Sequence, residues 1–429
     1  MPEPAADRLF EEGTSIKDGT GVTMSPALIL ETGGASKASG EAAKPARRRK
    51  RTRGKRSQAA GDAPAPPAGK RPRAAQRPAR KTPPEETLYG ALDLGTNNCR
   101  LLIARRSRGG FTVVDAFSRI VRLGEGLGAT GSLSEPAMER AVAALKICSD
   151  KLSRRGVKRV RAVGTEACRA AGNGADFTAR VKRETGIELD VVSAEDEARL
   201  ALQGCAPLLD TACHSALVFD IGGGSTELMW IEMGGTSKRS RLVDWVSLPL
   251  GVVTLAERYG GTSVSAGDFE AMVAESLDLI APFAERRPMG GASPSEFHLL
   301  GTSGTVTTIT GVHLGLERYE RQKVDGAWIQ VTDVAGVTAT LLEMTNEERA
   351  AHPCVGVERA DLVLAGCAIL QAIAETWPAN RLRVADRGLR EGILLSLMAK
   401  DDARRRRRRP RRRGGRRKSG APKTAGGES

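Results

Sequence analysis

Two stretches of this chain place an aspartate and a glycine-rich turn between apolar strands in the same order. They read DLGTNNCRLLIA at 93–104 and DIGGGSTELMWI at 220–231, so the second begins 127 positions after the first. Glycines allow backbone N–H groups to approach an anion closely, and an aspartate at a strand end can hold a metal ion or its water. The repeated pattern predicts two facing hairpins that bind a polyphosphate from both sides.

The residues of the two turns are the predicted phosphate ligands. Three consecutive glycines destabilise a strand and are expected mainly where a ligand or a second backbone comes close. A turn without a ligand is the alternative for the first stretch taken alone. The ligands predicted from the two turns are Gly95, Thr96, Asn97 and Asn98, followed by Gly222, Gly223, Gly224, Ser225 and Thr226.

A third glycine loop and two arginines extend the predicted phosphate site. The loop separates a strand from an apolar helix, whose first N–H groups can bind an anion, although an ordinary strand-to-helix turn is the alternative. Arg100 and Arg169 are predicted to contact phosphate oxygens through forked guanidinium bonds, against the alternative that they are surface arginines. The residues of the third loop are Gly301, Thr302, Ser303 and Gly304.

An acidic cluster opens a predicted helix directly after a strand at 187–192. Ser193 is placed to cap this helix, and Glu195, Asp196 and Glu197 fill its first turn. Acids in a first turn are expected from the helix macrodipole alone, which is the alternative to a function. An acid at a domain junction could also face a cleft and take a proton from water.

The order of elements around these motifs predicts an α/β fold. The first hairpin leads into a third strand, a helix at 135–155 and two buried strands, the first of which leads into a loop at 164–173. The second hairpin opens a similar series with a helix at 267–286 that Ser265 caps. The repetition predicts two related domains, 86–194 and 195–379, with a cleft between them.

The basic character of the chain is confined to its two ends. The formal net charge is +15, of which residues 1–85 carry +9 and residues 401–429 carry +10, so the middle is mildly acidic at −4. Both ends are poor in aromatic and β-branched residues and are predicted to be disordered. Their arginine runs would attract nucleic acid or another polyanion, and a solubilising tail without a partner is the alternative.

The chain is predicted to be cytoplasmic. No stretch of about 18 apolar residues is present to span a membrane, and the N-terminus lacks a basic segment followed by an apolar core. The seven cysteines are scattered without a CxxC pair, mostly within apolar runs. They are predicted to be core residues in a reducing compartment.

Seven motifs follow one another along the middle of the chain. They are DLGTNNCRLLIA (93–104), VGTEACRAAGN (163–173), SAEDEARLALQG (193–204), VFDIGGGSTEL (218–228), LPLGVV (248–253), GTSGTVTT (301–308) and RGLREGIL (387–394). In this order they resemble the exopolyphosphatase and guanosine pentaphosphate phosphohydrolase (Ppx/GppA) family from about 88 to 398. The resemblance is to a short form without the helical C-terminal domains of the longer exopolyphosphatases.

The resemblance implies two ribonuclease H-like domains of the actin, sugar-kinase and heat-shock ATPase superfamily around a central cleft. The last strand and helix, at about 380–400, are expected to return to the first domain. By similarity Glu197 is the catalytic glutamate, and Asp93, Asp220 and Glu227 hold Mg²⁺, with Mn²⁺ as the alternative. The family also implies a homodimer.

The function implied by the resemblance is release of terminal phosphate from inorganic polyphosphate, from guanosine pentaphosphate, or from both. Glu197 would orient or deprotonate a water for in-line attack on the terminal phosphorus. Two alternatives remain open. One is an ATP-dependent kinase or ATPase of the same fold, and the other is a protein that binds polyanions or nucleic acid through its basic tails.

Overall fold

The computed structural model describes residues 29–31, 87–234, 239–289 and 293–408, which form two mixed β-sheets and their helices. The strands are β1 (Ile29–Glu31), β2 (Leu88–Leu94), β3 (Asn98–Ser107), β4 (Gly110–Ile120), β5 (Arg159–Gly164), β6 (Leu189–Val191), β7 (Ser215–Ile221), β8 (Thr226–Met233), β9 (Arg239–Leu248), β10 (Phe297–Thr302), β11 (Trp328–Gln330) and β12 (Arg381–Ala385). The helices are α1 (Leu127–Thr130), α2 (Glu135–Arg154), α3 (Glu166–Ala170), α4 (Gly174–Thr185), α5 (Ala194–Cys205), α6 (Val252–Tyr259), α7 (Ala266–Arg286), α8 (Gly304–His313), α9 (Arg321–Val324), α10 (Val331–Glu343), α11 (Asn346–Ala351), α12 (Val363–Thr376) and α13 (Leu389–Arg408).

The two sheets repeat one strand order. The first sheet runs β4-β3-β2-β5-β6, with β2, β3 and β4 antiparallel and β5 and β6 parallel to β2. In the second sheet the order β9-β8-β7-β10-β12 has the same directions, and β1 and β11 are added at its two edges. The prediction of two related α/β halves is therefore confirmed. We call residues 88–191 lobe 1 and residues 215–385 lobe 2.

Two helices lie between the sheets, and the others cover the outer faces. Strand β2 alternates, so that Leu92 and Leu94 face the core with α2 and α4, while Tyr89 and Ala91 face the core with α13. Helix α5 contributes to the inner cores of both sheets. The outer face of the second sheet packs on α6, α7, α8, α10 and α12.

Helices α5 and α13 cross backbone to backbone. A Cβ on Gly204 would lie 2.0 Å from the carbonyl oxygen of Gly388, and a Cβ on Gly392 would lie 1.9 Å from that of Leu200. No side chain fits at such distances, so both positions require glycine. The crossing fixes the second half of α5 against the first turn of α13.

Local sequence signals place several helix starts. The Ser193 hydroxyl accepts a hydrogen bond from the Asp196 amide at 3.1 Å at the start of α5. At the start of α7, Ser265 and Asp268 form the reciprocal bonds of a capping box. Both predicted caps are confirmed. All seven cysteines are buried and free, which confirms their placement in the core.

The end of the chain departs from the sequence prediction. Helix α13 packs on the first sheet, but β12 pairs in parallel with β10 and so belongs to the second sheet. Only the helix returns to lobe 1, because its apolar face completes the inner core there. The helix also continues to Arg408, into the segment predicted to be a disordered tail.

Two further predictions are corrected, and others lie outside the described residues. The loop predicted at 164–173 contains helix α3, and Ile29–Glu31 forms an edge strand antiparallel to β9 within the predicted N-terminal tail. The remaining residues of 1–86 and all of 409–429 are outside the described part of the chain. Among the described residues, no helix combines the length and apolar character needed to cross a membrane.

A buried histidine on β10 gives the fold a defined pH dependence. Burial, opposed by the nearby Asp210 carboxylate and reinforced by Arg381 and Arg383, lowers the pKa of His298 to about 4. Its ring is fully buried, and its Nε2 accepts a hydrogen bond from the Asp210 amide at 3.4 Å. The folded protein therefore keeps this ring neutral at a pH at which the unfolded chain binds a proton.

We expect His298→Gln to remove part of the acid sensitivity of the fold. The stability contributed by neutral His298 is complete above the unfolded pKa of about 6.5 and is lost as the pH falls towards 4, by up to about 3 kcal/mol. Glutamine keeps an acceptor and does not titrate. Denaturant unfolding at pH 7 and pH 5 should show a smaller loss of free energy of unfolding in the variant. Equal losses would contradict the assignment.

Candidate active site

The two glycine-rich turns face each other across the junction of the lobes, as the sequence predicts. A Cβ on Gly223 would lie 2.9 Å from Cβ of Thr96, and one on Gly224 would lie 3.1 Å from the Thr96 Oγ1. Each turn is closed by an equivalent backbone bond, from Gly95 N to Asn98 O at 2.9 Å and from Gly222 N to Ser225 O at 2.8 Å. We call residues 95–98 loop 1 and residues 222–225 loop 2.

Hydrogen bonds from neighbouring segments hold the carbonyl groups of both loops. The amides of Val252 and Val253, at the start of α6, donate to Gly222 O and Gly223 O at 3.0 and 2.8 Å. In lobe 1, the Val121 and Arg122 amides donate to Asn97 O at 2.9 and 3.0 Å, and the Gly124 amide donates to Thr96 O at 2.9 Å. These bonds fix the peptide planes, which leaves loop N–H groups for a ligand.

The loops line a cleft of about 580 Å³ between the lobes. Most of the predicted site residues lie on its wall. They are Asp93, Gly95, Thr96, Asn97, Asn98, Arg100, Glu197, Asp220, Gly222, Gly223, Gly224, Ser225, Glu227, Thr302, Ser303 and Gly304. The structure thus brings together residues that are up to 211 positions apart in the chain.

Three predicted phosphate ligands do not line this cleft. The Thr226 side chain is fully buried, and its hydroxyl donates to Leu250 O at 2.6 Å. Gly301 packs against Phe219, whose ring a Cβ would approach to 2.6 Å. The structure does not place either residue on the cleft wall, because each is next to a cleft residue on a strand and successive strand residues face opposite sides. Arg169 is the third.

Arg169 binds the predicted catalytic acid instead of the cleft. Its Nη1 donates to Glu197 Oε2 at 3.1 Å and to Val192 O at 2.8 Å, and its Nη2 donates to Glu166 Oε2 at 2.5 Å. The guanidinium is therefore occupied by protein groups. The Arg169 guanidinium orients the Glu197 carboxylate. Arg169 is therefore a positioning residue in this structure and not the phosphate ligand that the sequence predicts.

Glu197 is a mostly buried carboxylate on the wall of the cleft. It lies in the first turn of α5, which begins between the two sheets. Burial, followed by the negative charge of Glu227, raises the pKa of Glu197 well above its ordinary value, and Arg169 opposes this shift. A raised pKa makes a carboxylate a stronger proton acceptor than an exposed glutamate.

The cross-strand pairs of the two hairpins carry the charges of the cleft. Asp93 lies opposite Arg100 in the first hairpin, and Asp220 lies opposite Glu227 in the second. Residues paired in this way share a face and have adjacent side chains. The same structural position is thus a cation in lobe 1 and an anion in lobe 2.

The carboxylates of these pairs all have raised pKa values. Burial raises the pKa of Asp93, and Arg100 and Arg390 oppose the rise. Burial, then the charge of Glu227, raises the pKa of Asp220 to about 7. Burial likewise raises the pKa of Glu227, although its Oε1 accepts hydroxyl hydrogen bonds from Ser225 and Ser247 at 2.8 Å. The Ser225 hydroxyl is therefore engaged by Glu227.

Two arginines remain available at the floor of the cleft. Arg100 and Arg390 line it, and within the described residues neither guanidinium forms a hydrogen bond or a salt bridge. Burial lowers the pKa of Arg390, which lies in the first turn of α13, where the helix dipole disfavours a cation. An anion in the cleft would relieve both costs. Sequence reasoning did not select Arg390 as a ligand, although the motif RGLREGIL contains it.

The third loop contributes a helix N-terminus to the cleft. Ser303 precedes α8 with φ at 122°, a region that residues other than glycine rarely adopt, and its buried hydroxyl has no hydrogen-bond partner among the described residues. The buried Oδ1 of Asn97 in loop 1 also lacks one. The Thr302 hydroxyl, by contrast, donates to Arg387 O at 2.9 Å. Strain and unpaired polar atoms therefore occur at the ligand-facing positions of two loops.

The predicted trio of metal ligands is not a preformed cage. In the part of the chain that is described, no three His, Cys, Asp or Glu side chains are grouped so that they could hold a metal ion together. Mg²⁺ does not require such a group, since it keeps several waters and usually takes one or two carboxylates together with substrate phosphates. The oxygen donors of Asp93 and Asp220 on the cleft wall fit that mode of binding.

Comparison with known proteins identifies relatives over most of the described chain. Residues 102–401 match the family model described as the Ppx/GppA phosphatase family. The chain is 31% identical over 329 residues to the guanosine-5'-triphosphate,3'-diphosphate pyrophosphatase of Photobacterium profundum. That match covers 74% of this chain and 60% of the relative, so this chain spans less than two thirds of the relative's length.

Solved structures with the same fold are also found. A Ppx/GppA family member from Aquifex aeolicus is 29% identical, with a TM-score of 0.61 over 74% of this chain and 99% of its own. An exopolyphosphatase from Cytophaga hutchinsonii is 25% identical, with a TM-score of 0.66 over 73% of this chain and 98% of its own. The predicted two-domain α/β fold is confirmed by these matches.

The contact between loops 1 and 2 should make Gly223 sensitive to a single methyl group. In Gly223→Ala the added Cβ would lie 2.9 Å from Cβ of Thr96 and 3.2 Å from the Asn97 amide nitrogen, so the loops must separate. We expect a loss of about 1–3 kcal/mol in the free energy of unfolding. Gly304→Ala is the control, because its Cβ meets nothing within 4 Å. Thermal unfolding of both variants checks this, and equal melting temperatures would contradict it.

Proposed function

We propose that this chain, which belongs to the Ppx/GppA phosphatase family, releases terminal phosphate from inorganic polyphosphate, from guanosine pentaphosphate, or from both. The observation that carries the proposal is the position of Glu197. Its carboxylate, with a raised pKa, lies on the wall of a cleft that is lined by three glycine loops and by Arg100 and Arg390, which have no hydrogen-bond or salt-bridge partner among the described residues. The names of the relatives, a guanosine pentaphosphate pyrophosphatase and an exopolyphosphatase, support the same reaction class.

In the proposed reaction, Glu197 serves as the general base for water. The water oxygen forms a bond to the terminal phosphorus while the bridging P–O bond breaks, and the Glu197 carboxylate takes the proton of the water. Arg169 keeps the carboxylate directed into the cleft through its bond to Oε2. The products are inorganic phosphate and a chain that is one phosphate shorter.

Charge stabilisation would come from groups that are fixed before the substrate binds. Loop 1 and loop 2 offer N–H groups from both lobes, and the start of α8 adds those of a helix N-terminus. Arg100 and Arg390 lie beside Asp93 and are available to bind phosphate oxygens that gain charge in the transition state. Most of the acceleration would then come from positioning and electrostatics.

We propose Mg²⁺ as the metal, with Mn²⁺ as the alternative. Asp93 and Asp220 would hold it on the cleft wall, and Glu227 is placed beside Asp220 by the cross-strand pairing. When bound, the ion would neutralise phosphate charge and polarise phosphate oxygens. The raised pKa values of these carboxylates would be reversed by a divalent cation.

The first test compares Glu197→Gln with Glu195→Gln on the same helix turn. Glu195 is half-buried and is paired with Arg199 at 2.5 Å, and it does not line the cleft, so its loss should leave the cleft unchanged. We expect phosphate release from the better substrate to fall about 10²–10⁴-fold in Glu197→Gln and to stay within about twofold in Glu195→Gln. The measurement is steady-state phosphate release with Mg²⁺ from long polyphosphate and from guanosine pentaphosphate, side by side.

The outcomes of this assay separate the candidate functions. Equal activity of the two variants would remove Glu197 from the mechanism while leaving the reaction class intact. Release from neither substrate by the wild-type protein would overturn the proposal and favour an ATP-dependent enzyme of the same fold or a polyanion-binding protein. The ratio of the two wild-type rates would establish which substrate is preferred.

Removal of divalent cations should abolish the activity reversibly. With EDTA in excess we expect phosphate release to fall to background, and Mg²⁺ in excess of the chelator should restore it, because the carboxylates alone repel a polyphosphate. Asp220→Asn should raise the Mg²⁺ concentration needed for half-maximal rate. Full activity in EDTA would contradict the metal assignment.

A further inference from the structure

An ion pair joins the two lobes at the edge of the cleft. Arg122, which follows β4 in lobe 1, donates from Nη1 to Asp361 Oδ2 at 2.7 Å and from Nη2 to Asp361 Oδ1 at 3.0 Å. Asp361 precedes α12 in lobe 2. The pair is bidentate, and about a third of the Arg122 side chain and a fifth of the Asp361 side chain are exposed. Forked geometry of this kind is the strong form of a salt bridge.

Arg122 is attached directly to loop 1. Its backbone amide donates to Asn97 O at 3.0 Å, next to the Val121 amide, which donates to the same oxygen at 2.9 Å. Its φ of 46° is left-handed, a conformation that glycine adopts without cost and arginine does not. The strained backbone directs a long cationic side chain to the other lobe.

Asp361 is attached to the opposite wall of the cleft. The segment 353–359 lines the cleft, and the Leu362 amide donates to Arg359 O at 2.9 Å. Arg359 in turn donates from Nη1 to the Thr308 hydroxyl of α8 at 3.1 Å. The backbone of Asp361 is also fixed, since a Cβ on Gly261 would lie 2.0 Å from its carbonyl oxygen. The ion pair therefore connects two anchored segments.

The segment that carries Arg122 is braced within lobe 1. Arg140 of α2 donates from Nε to Val121 O at 2.8 Å and from Nη2 to Arg122 O at 3.2 Å. A second link to lobe 2 runs from the Gly126 amide to Glu257 Oε1 at 2.9 Å. A shift of either lobe must therefore move loop 1 or break these bonds.

We infer that Arg122 and Asp361 are positioning residues that hold loop 1 and the 353–361 wall at the separation at which both contact one polyphosphate. This inference rests on the proposed function for its kinetic consequence. Neither residue touches the reacting atoms. Without the pair, the lobes would spend part of the time at a wider separation. Substrate would then bind only the fraction of molecules in which the lobes are at the closer separation.

The kinetic test uses two variants that remove the pair in different ways. Arg122→Gly deletes the side chain and suits the left-handed backbone, so we expect its melting temperature to be unchanged or higher. Asp361→Asn removes only the charge. In both we expect KM to rise about three- to tenfold while kcat stays within about twofold, because bound substrate supplies the missing contact across the cleft. Asp190→Asn is the control, since it removes an arginine salt bridge within lobe 1.

A charge swap separates positioning from a local effect. The double variant Arg122→Asp, Asp361→Arg restores opposite charges across the lobes. We expect each single reversal to raise KM and the double variant to have a lower KM than either single reversal. Equal KM values for the single reversals and the double variant would overturn the inference. A fall in kcat with KM unchanged in Arg122→Gly would also overturn it.

Hydrogen exchange tests the same link without any substrate. In Asp361→Asn we expect faster amide exchange at 121–126 in lobe 1, and in Arg122→Gly faster exchange at 353–363 in lobe 2, because coupling is reciprocal. Changes confined to the mutated lobe would overturn the inference. This readout remains valid if the wild-type protein hydrolyses neither substrate, so failure of the proposed function and failure of the inter-lobe link are distinguishable.

Discussion

The burial of like charges at the junction of the two sheets is the constraint on which the rest of the structure depends. Burial and the charges of Glu227 and Asp93 raise the pKa of Glu197, and the same causes raise the pKa of Asp220. Such a cluster opposes folding at neutral pH unless cations offset it. Arg100, Arg169 and Arg390 supply part of that compensation from lobe 1 and α13. The rest of the electrostatic cost must be offset by the large apolar cores on the outer faces of both sheets.

The internal repeat explains how the charges differ across the cleft. The two hairpins share strand order, the closing bond of the turn and the position of the strand-end aspartate. They differ at the residue opposite that aspartate, which is Arg100 in one and Glu227 in the other. One hairpin therefore offers a cation beside its carboxylate, while the other offers two carboxylates. In the proposed function, the first arrangement would bind phosphate oxygens and the second would bind a divalent cation held by those phosphates.

Local rules predicted the parts of the site that depend on short stretches of sequence. The caps at Ser193 and Ser265, the first-turn position of Glu197 and the two glycine turns follow from residues within a few positions. The alternation of strand residues would have excluded Thr226 once Glu227 was assigned to the cleft. What could not be predicted depends on distant pairing. Arg169 contacts Glu197 because α3 forms in the segment predicted to be a loop. Strand β12 pairs with β10, which lies about 80 residues earlier in the chain, and no local sequence signal predicts that pairing.

The cleft is held by different physical means at its two ends. Glu197 and Arg390 begin α5 and α13, whose crossing depends on Gly204 and Gly392 and on backbone contacts that leave no room for a side chain. That contact is insensitive to salt and fixes the proposed base relative to Arg390, the arginine proposed to bind phosphate. At the Arg122 end, the link is a partly exposed ion pair, which salt and pH can weaken. Glu197 and Arg390 are thus both attached to the rigid contact. The adjustable contact affects how closely loop 1 approaches the opposite wall, so a change in cleft width alters substrate binding while Glu197 and Arg390 keep their positions relative to each other.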